Sequence, residues 1–100
     1  MVHPILNGYS IKFTSEANDN LLNLEKNDYL KVVSKIKCLT SDCLNLNIKK
    51  LKLKKVNLYR LRVGDFRIIY SIESEQIVVW IIAIGLRKDI YKRIVRFLNL

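Results

Sequence analysis

With 100 residues, half of them apolar, and only three Gly and one Pro, the chain holds one compact domain and excludes a two-domain enzyme or a long linker. Its 18 Lys and Arg against 9 Asp and Glu leave a net charge of +9, all of it in the second half: residues 1 to 48 carry five basic and five acidic side chains, residues 49 to 100 thirteen and four. Such a field suits a polyanionic partner, whether nucleic acid, an acidic membrane surface or an acidic protein.

Residues 1 to 8 read as a flexible tail, without the basic run, apolar stretch and small-residue cleavage site of a secretory signal. Tyr9 to Phe13 alternates apolar and polar, as a short strand does. Thr14 or Ser15 then caps a helix with Glu16 and Asp19 in its first turn and Ala17, Leu21 and Leu24 on one face. Asp28 is a second cap, and Tyr29, Val32, Val33, Ile36 and Leu39 keep the helical period, so an antiparallel helix hairpin is expected. Cys38 and Cys43 have no further Cys or His nearby. They are too few ligands for a structural zinc and are expected as a reduced, cytosolic pair. From Thr40 to Lys55 the pattern is open: Leu44, Leu46 and Ile48 alternate, while KKLKLKK suits a loop, an edge strand or a solvated arm.

Beyond Asn57, YRLRV, a Gly64-Asp65 pair, FRIIYSI, a polar ESEQ and IVVWIIAI predict three antiparallel strands joined by tight turns. The apolar run from Ile77 to Leu86 is about half of a membrane span and rich in β-branched residues, hence a buried strand. Gly85 is expected to end it. Arg87 to Leu98 returns to helical spacing, with Ile90, Ile94 and Phe97 on one stripe and Lys88, Lys92, Arg93 and Arg96 around it. The predicted class is α+β, with the helices covering one sheet face.

A two-residue turn at Gly64-Asp65 sets Val63 opposite Phe66, Arg62 opposite Arg67, Leu61 opposite Ile68 and Arg60 opposite Ile69. Tyr59, Leu61, Val63, Phe66, Ile68, Tyr70 and Ile72 then share the face under the hairpin, and Arg60, Arg62 and Arg67 share the other. Like charges opposite one another destabilise a strand pair by up to about 1 kcal/mol. Two accounts stand: a wet surface on which arginine stems cover apolar neighbours, or a site whose occupant is an anion such as a phosphodiester, which suits the planar guanidinium fork. Other titratable residues are poor candidates. His3 is the sole histidine and falls in the tail, and Glu73 and Glu75 read as turn residues. No G-x-S-x-G, Gly-rich phosphate loop or H-E-x-x-H occurs, which argues against a nucleophile-and-base hydrolase. Tyr91 lies one helical turn beyond Arg87 on the same side, where a packing role also accounts for it.

The block YRLRVGDFRIIYSIESEQIVVWIIAIGLRKDIYKR, from Tyr59 to Arg93, resembles the C-terminal half of RelE-type toxins of the RelE/ParE superfamily, and the order of the preceding elements is similar. The resemblance implies a single toxin domain over residues 1 to 100. Its sheet is curved and antiparallel, of about four strands, with an N-terminal helix hairpin on one side, an mRNA-cleaving site on the other and a short C-terminal helix. It carries catalytic roles to Arg60, Arg62, Arg67, Arg87 and Tyr91. Strict alternation places Arg87 on the wrong face, unless the chain breaks at Gly85. The implied activity is a ribosome-dependent, metal-independent and cofactor-free endoribonuclease of the cytoplasm. Lys49, Lys50, Lys52, Lys54, Lys55, Lys88 and Lys92 are expected to contact RNA. The implied partners are the ribosome, mRNA and a RelB-like antitoxin, with no membrane, and with operator DNA only through the antitoxin complex. The apolar tail from Ile94 onward is expected on the sheet, where an antitoxin segment competes with it. Three positions depart from the family pattern: several relatives carry Lys at one or both of the positions of Arg60 and Arg62, and many carry His at that of Leu86. The alternatives are a ParE-like gyrase inhibitor without nuclease activity, and a degenerate toxin that only binds antitoxin or operator.

Overall fold

The computed structural model describes residues 4–43, 45–53 and 56–97. His3, Leu44, Lys54, Lys55 and the end of the apolar tail lie outside the described residues. In chain order the elements are β1 (Ser10–Phe13), α1 (Ser15–Leu22), α2 (Lys26–Cys38), β2 (Asn47–Leu53), β3 (Val56–Val63), β4 (Phe66–Glu73), β5 (Val78–Leu86) and α3 (Arg87–Phe97). They form an α+β fold on a five-stranded sheet of order β1-β5-β4-β3-β2.

The sheet is larger than the expected four strands, and it is mixed. Part of the stretch between Thr40 and Lys55 becomes β2, antiparallel to β3, because its alternation sends Ile48 to one face and Leu51 to the other, each against its own apolar layer. Strand β1 pairs with β5 in parallel, from Ser10 opposite Val78 to Phe13 opposite Ile81. Thr14 caps helix α1: its Oγ1 accepts from the Ala17 N–H (3.1 Å) and donates to the Ile82 carbonyl (2.8 Å), so the cap also fastens the helix beside β5. Asp28 is not a cap: Glu25 precedes α2, and Asp28 sits in its first turn, where a carboxylate favours the helix dipole.

Two apolar layers hold the sheet. Ala17, Leu21, Val32 and Ile36 of the hairpin pack on Tyr59, Leu61, Ile68, Tyr70, Val79 and Ile81. Leu6 is buried in this layer at 2% exposure, so the described part of residues 1 to 8 is not a free tail. On the opposite face Ile90 and Ile94 of α3 cover Leu58, Ile69, Ile82 and Ala83. Helices therefore cover both faces and not one, because the arginine face also carries apolar side chains that only the Ile stripe of α3 removes from water. Cys38 and Cys43, expected as a reduced pair, are joined as a disulfide that closes the turn after α2, with Cα atoms 5.2 Å apart. Among the described residues no helix is long and apolar enough to cross a membrane.

Candidate active site

The turn between β3 and β4 sets the site's register. Gly64 takes φ +59° while Asp65 stays out of the positive-φ region, as in a II′ hairpin turn, where glycine adopts the first central position without strain. The pairs are those a two-residue turn dictates: Val63 with Phe66, Arg62 with Arg67, Leu61 with Ile68, Arg60 with Ile69. Tyr59, Leu61, Val63, Ile68 and Tyr70 bury under the hairpin, and Arg60, Arg62 and Arg67 lie on the other face.

Arg87 reaches that side through a register shift. Opposite Ile69 and Tyr70, β5 contains one extra residue: Tyr70 pairs with Ile81 but Ile69 pairs with Ala83. The bulge reverses the parity of the rest of the strand, so Gly85 lies opposite Arg67 and α3 begins two residues later on the arginine side. Strand β5 runs on through Leu86, one residue past the expected end at Gly85. The Arg87 N–H donates to the Asp65 carbonyl (3.0 Å), tying the start of α3 to the β3–β4 turn.

Gly85 has a steric task. A Cβ there would collide with the Arg93 guanidinium and meet Ile90 Cδ1 at 3.3 Å. In the space it leaves, Arg93 donates to the Ile84 carbonyl (3.2 Å) and to Asn20 Oδ1 (2.5 Å), and lies 3.7 Å from Glu16. Asn20 Oδ1 also accepts the Ile84 N–H (3.1 Å), satisfying β5 where β1 no longer pairs with it. Sequence reasoning placed Arg93 only among the cations around the α3 stripe. In the fold it anchors α3 to α1 and β5, for which its place between Ile90 and Ile94 was the available signal.

Arg67 is the centre of the cluster. It is 4% exposed, and its Nη1 donates to the carbonyls of Gly64 (2.9 Å) and Phe66 (3.1 Å), which lock the side chain against its own turn. Burial lowers its pKa below the ordinary guanidinium value, and Arg62, Arg60 and Arg87 lower it further, while Tyr91 acts in the opposite sense. All four neighbours are therefore within electrostatic range of Arg67, and the five predicted catalytic residues are brought together. Arg60 donates to Asn47 Oδ1 (2.7 Å), and its buried Nε has no partner among the described residues. Arg62 and Arg87 are exposed, and Tyr91 is 39% exposed. The one ion pair among the described residues is Arg93 with Glu16, so none of the four clustered arginines is matched by a carboxylate there.

The lysines do not form one patch. Lys49, opposite Arg60, shares the arginine face, whereas Lys50 and Lys52, opposite Tyr59 and Asn57, point to the hairpin side. Lys88 and Lys92 are exposed on α3. Leu86, 49% exposed, lines a cleft of about 450 Å³ with Asp65, Arg87 and Lys88. Among the described residues no three His, Cys, Asp or Glu side chains gather in a way that holds a metal.

Comparison with known proteins gives this geometry a family. The ParE toxin of type II toxin-antitoxin systems (parDE) matches residues 11–91. Among solved structures, the archaeal RelE–RelB complex from Pyrococcus horikoshii OT3 contains a chain 26% identical, with TM-score 0.66, covering 79% of this chain and 94% of that one. The RelBE2 toxin-antitoxin complex of Mycobacterium tuberculosis gives 26% identity and TM-score 0.68 over 83% and 95%. The RelB–RelE complex of Methanococcus jannaschii gives 27% and 0.64 over 80% and 94%. No curated protein sequence matches. The chain belongs to the ParE toxin family of type II toxin-antitoxin systems, within the RelE/ParE superfamily.

Proposed function

We propose that this toxin is a ribosome-dependent endoribonuclease that cuts mRNA, with Arg60, Arg62, Arg67, Arg87 and Tyr91 as its catalytic set. The observation that carries the reading is their convergence on one sheet face around a buried Arg67 that no carboxylate neutralises among the described residues. In cleavage by the substrate's own 2′-hydroxyl, the oxygen gives up its proton and attacks the adjacent phosphorus, the P–O5′ bond breaks, and the departing O5′ takes up a proton, leaving a 2′,3′-cyclic phosphate and a 5′-hydroxyl. The transition state gathers negative charge on the phosphorane oxygens. Preorganised guanidinium groups stabilise it without reorganising, and they stay protonated at cellular pH. Arg67 is the least mobile of them because two turn carbonyls hold it. Tyr91 is the one side chain of the set suited to moving or orienting the 2′-hydroxyl proton. The ribosome positions the messenger, so free RNA is cut poorly. A RelB-like antitoxin neutralises the toxin in the cytoplasm and brings it to operator DNA.

Brief induction of the toxin in growing cells, followed by primer extension on cellular messengers, should give codon-dependent breaks. Arg67→Ala should abolish them while remaining folded by circular dichroism. Identical messenger patterns from both proteins sink the proposal. The family match to ParE favours a second reading, inhibition of DNA gyrase by binding. Purified toxin that traps gyrase cleavage complexes, and leaves messengers whole, establishes that reading instead.

A further inference from the structure

Five cations on one face exceed what one phosphodiester neutralises. Arg62, Arg67 and Arg87 stand at the β3–β4 turn and the start of α3, whereas Lys49 and Arg60 face each other two residues further along the β2–β3 pair. Two strand spacings, about 9–10 Å, separate the backbones of β4 and β2. Asn47, opposite Arg62 on β2, accepts from Arg60 across the strand pair, which draws that guanidinium toward β2. Lys49 is exposed, and it is the one described lysine of the KKLKLKK tract on this face.

We propose that Lys49, together with Arg60 of the catalytic set, which Asn47 draws toward β2, forms a second phosphate subsite adjoining the scissile one, occupied by the next phosphate of the same single strand. The inference rests on the proposed nuclease reading and extends it: the substrate is a strand with at least two consecutive phosphates bound across β4, β3 and β2. Lys49 thereby leaves the ribosome-docking group in which the sequence placed it, and Lys50 and Lys52, on the far face, take no part in strand binding.

Two uncleavable probes test this, a 2′-O-methyl dinucleotide with one phosphate and a trinucleotide with two, titrated calorimetrically against full-length toxin at low salt. The native chain should bind the trinucleotide about tenfold more tightly, the size of one charge-assisted contact. Lys49→Ala should remove that advantage and leave dinucleotide affinity unchanged, while Lys50→Ala should preserve both. The proposal is overturned if Lys49→Ala keeps the advantage, if Lys50→Ala loses it equally, or if the native chain shows none. Arg67→Ala, read on the dinucleotide, reports the catalytic subsite separately, so failure of the nuclease reading is told apart from failure of this one.

Discussion

At the residue scale, Tyr91 and Tyr70 show how environment sets one tyrosine at the surface and seals another in the core. Tyr91 is exposed beside the arginines, so its removal should not disturb the core. Tyr91→Phe should lower messenger cleavage by roughly 10²–10⁴, the usual range for a general acid or base, with an unchanged melting temperature. Quantified primer extension together with calorimetry checks both halves. Tyr70 is fully buried and stacks on Tyr59 with ring centroids 5.4 Å apart. Burial, and then Tyr59, raises its pKa above the ordinary phenol value. The unfolded chain therefore releases this proton from about pH 10 while the folded chain keeps it, and stability falls as pH rises above that point. Tyr70→Phe should flatten the alkaline decline in the urea midpoint relative to the native chain.

At the element scale, the placement of α3 decides whether Arg87 and Tyr91 meet the strand arginines. Three features set it: the bulge in β5 opposite Ile69 and Tyr70, the missing Cβ of Gly85, and the Arg93 anchor to Asn20 and the Ile84 carbonyl. Gly85→Ala should push the Arg93 guanidinium out of its position, costing about 1–3 kcal/mol through overpacking and broken hydrogen bonds. Because the clash and the anchor involve the same side chain, Gly85→Ala and Arg93→Ala should be strongly non-additive in a double-mutant cycle of urea unfolding. Additive losses would show that the glycine serves the backbone and not the anchor. The β3–β4 hairpin was legible from the chain alone, since Gly64-Asp65 between alternating strands leaves one sensible register. The bulge was not, because a run of Val and Ile buried on both faces has no alternation to betray a one-residue slip.

At the scale of the whole molecule, the surplus charge of the second half is distributed over different faces. The arginine cluster occupies one sheet face, Lys50 and Lys52 the other, and Lys88 and Lys92 the exposed side of α3. A separate cationic surface on α3 should act in docking, apart from catalysis. Lys88→Ala with Lys92→Ala should weaken binding to purified ribosomes and make it less salt-dependent, by up to about 0.7 in the log–log slope for each phosphate these lysines neutralise. Sedimentation with ribosomes at graded salt measures this, and an unchanged slope removes these lysines from the interface.

The chain by itself determined the helix hairpin, the three-strand meander and the shared face of Arg60, Arg62 and Arg67, because each arises from local periodicity and one tight turn. Tertiary structure alone decided the parallel pairing of β1, the burial of Leu6, the covering of the second face by α3, and the delivery of Arg87 and Tyr91 to the arginines. Those outcomes depend on contacts between residues far apart in sequence, such as Ser10 with Val78 and Arg93 with Asn20, and on a register shift that leaves no local mark. The charge count gave a basic surplus, and only the packed fold showed which of those cations stand together.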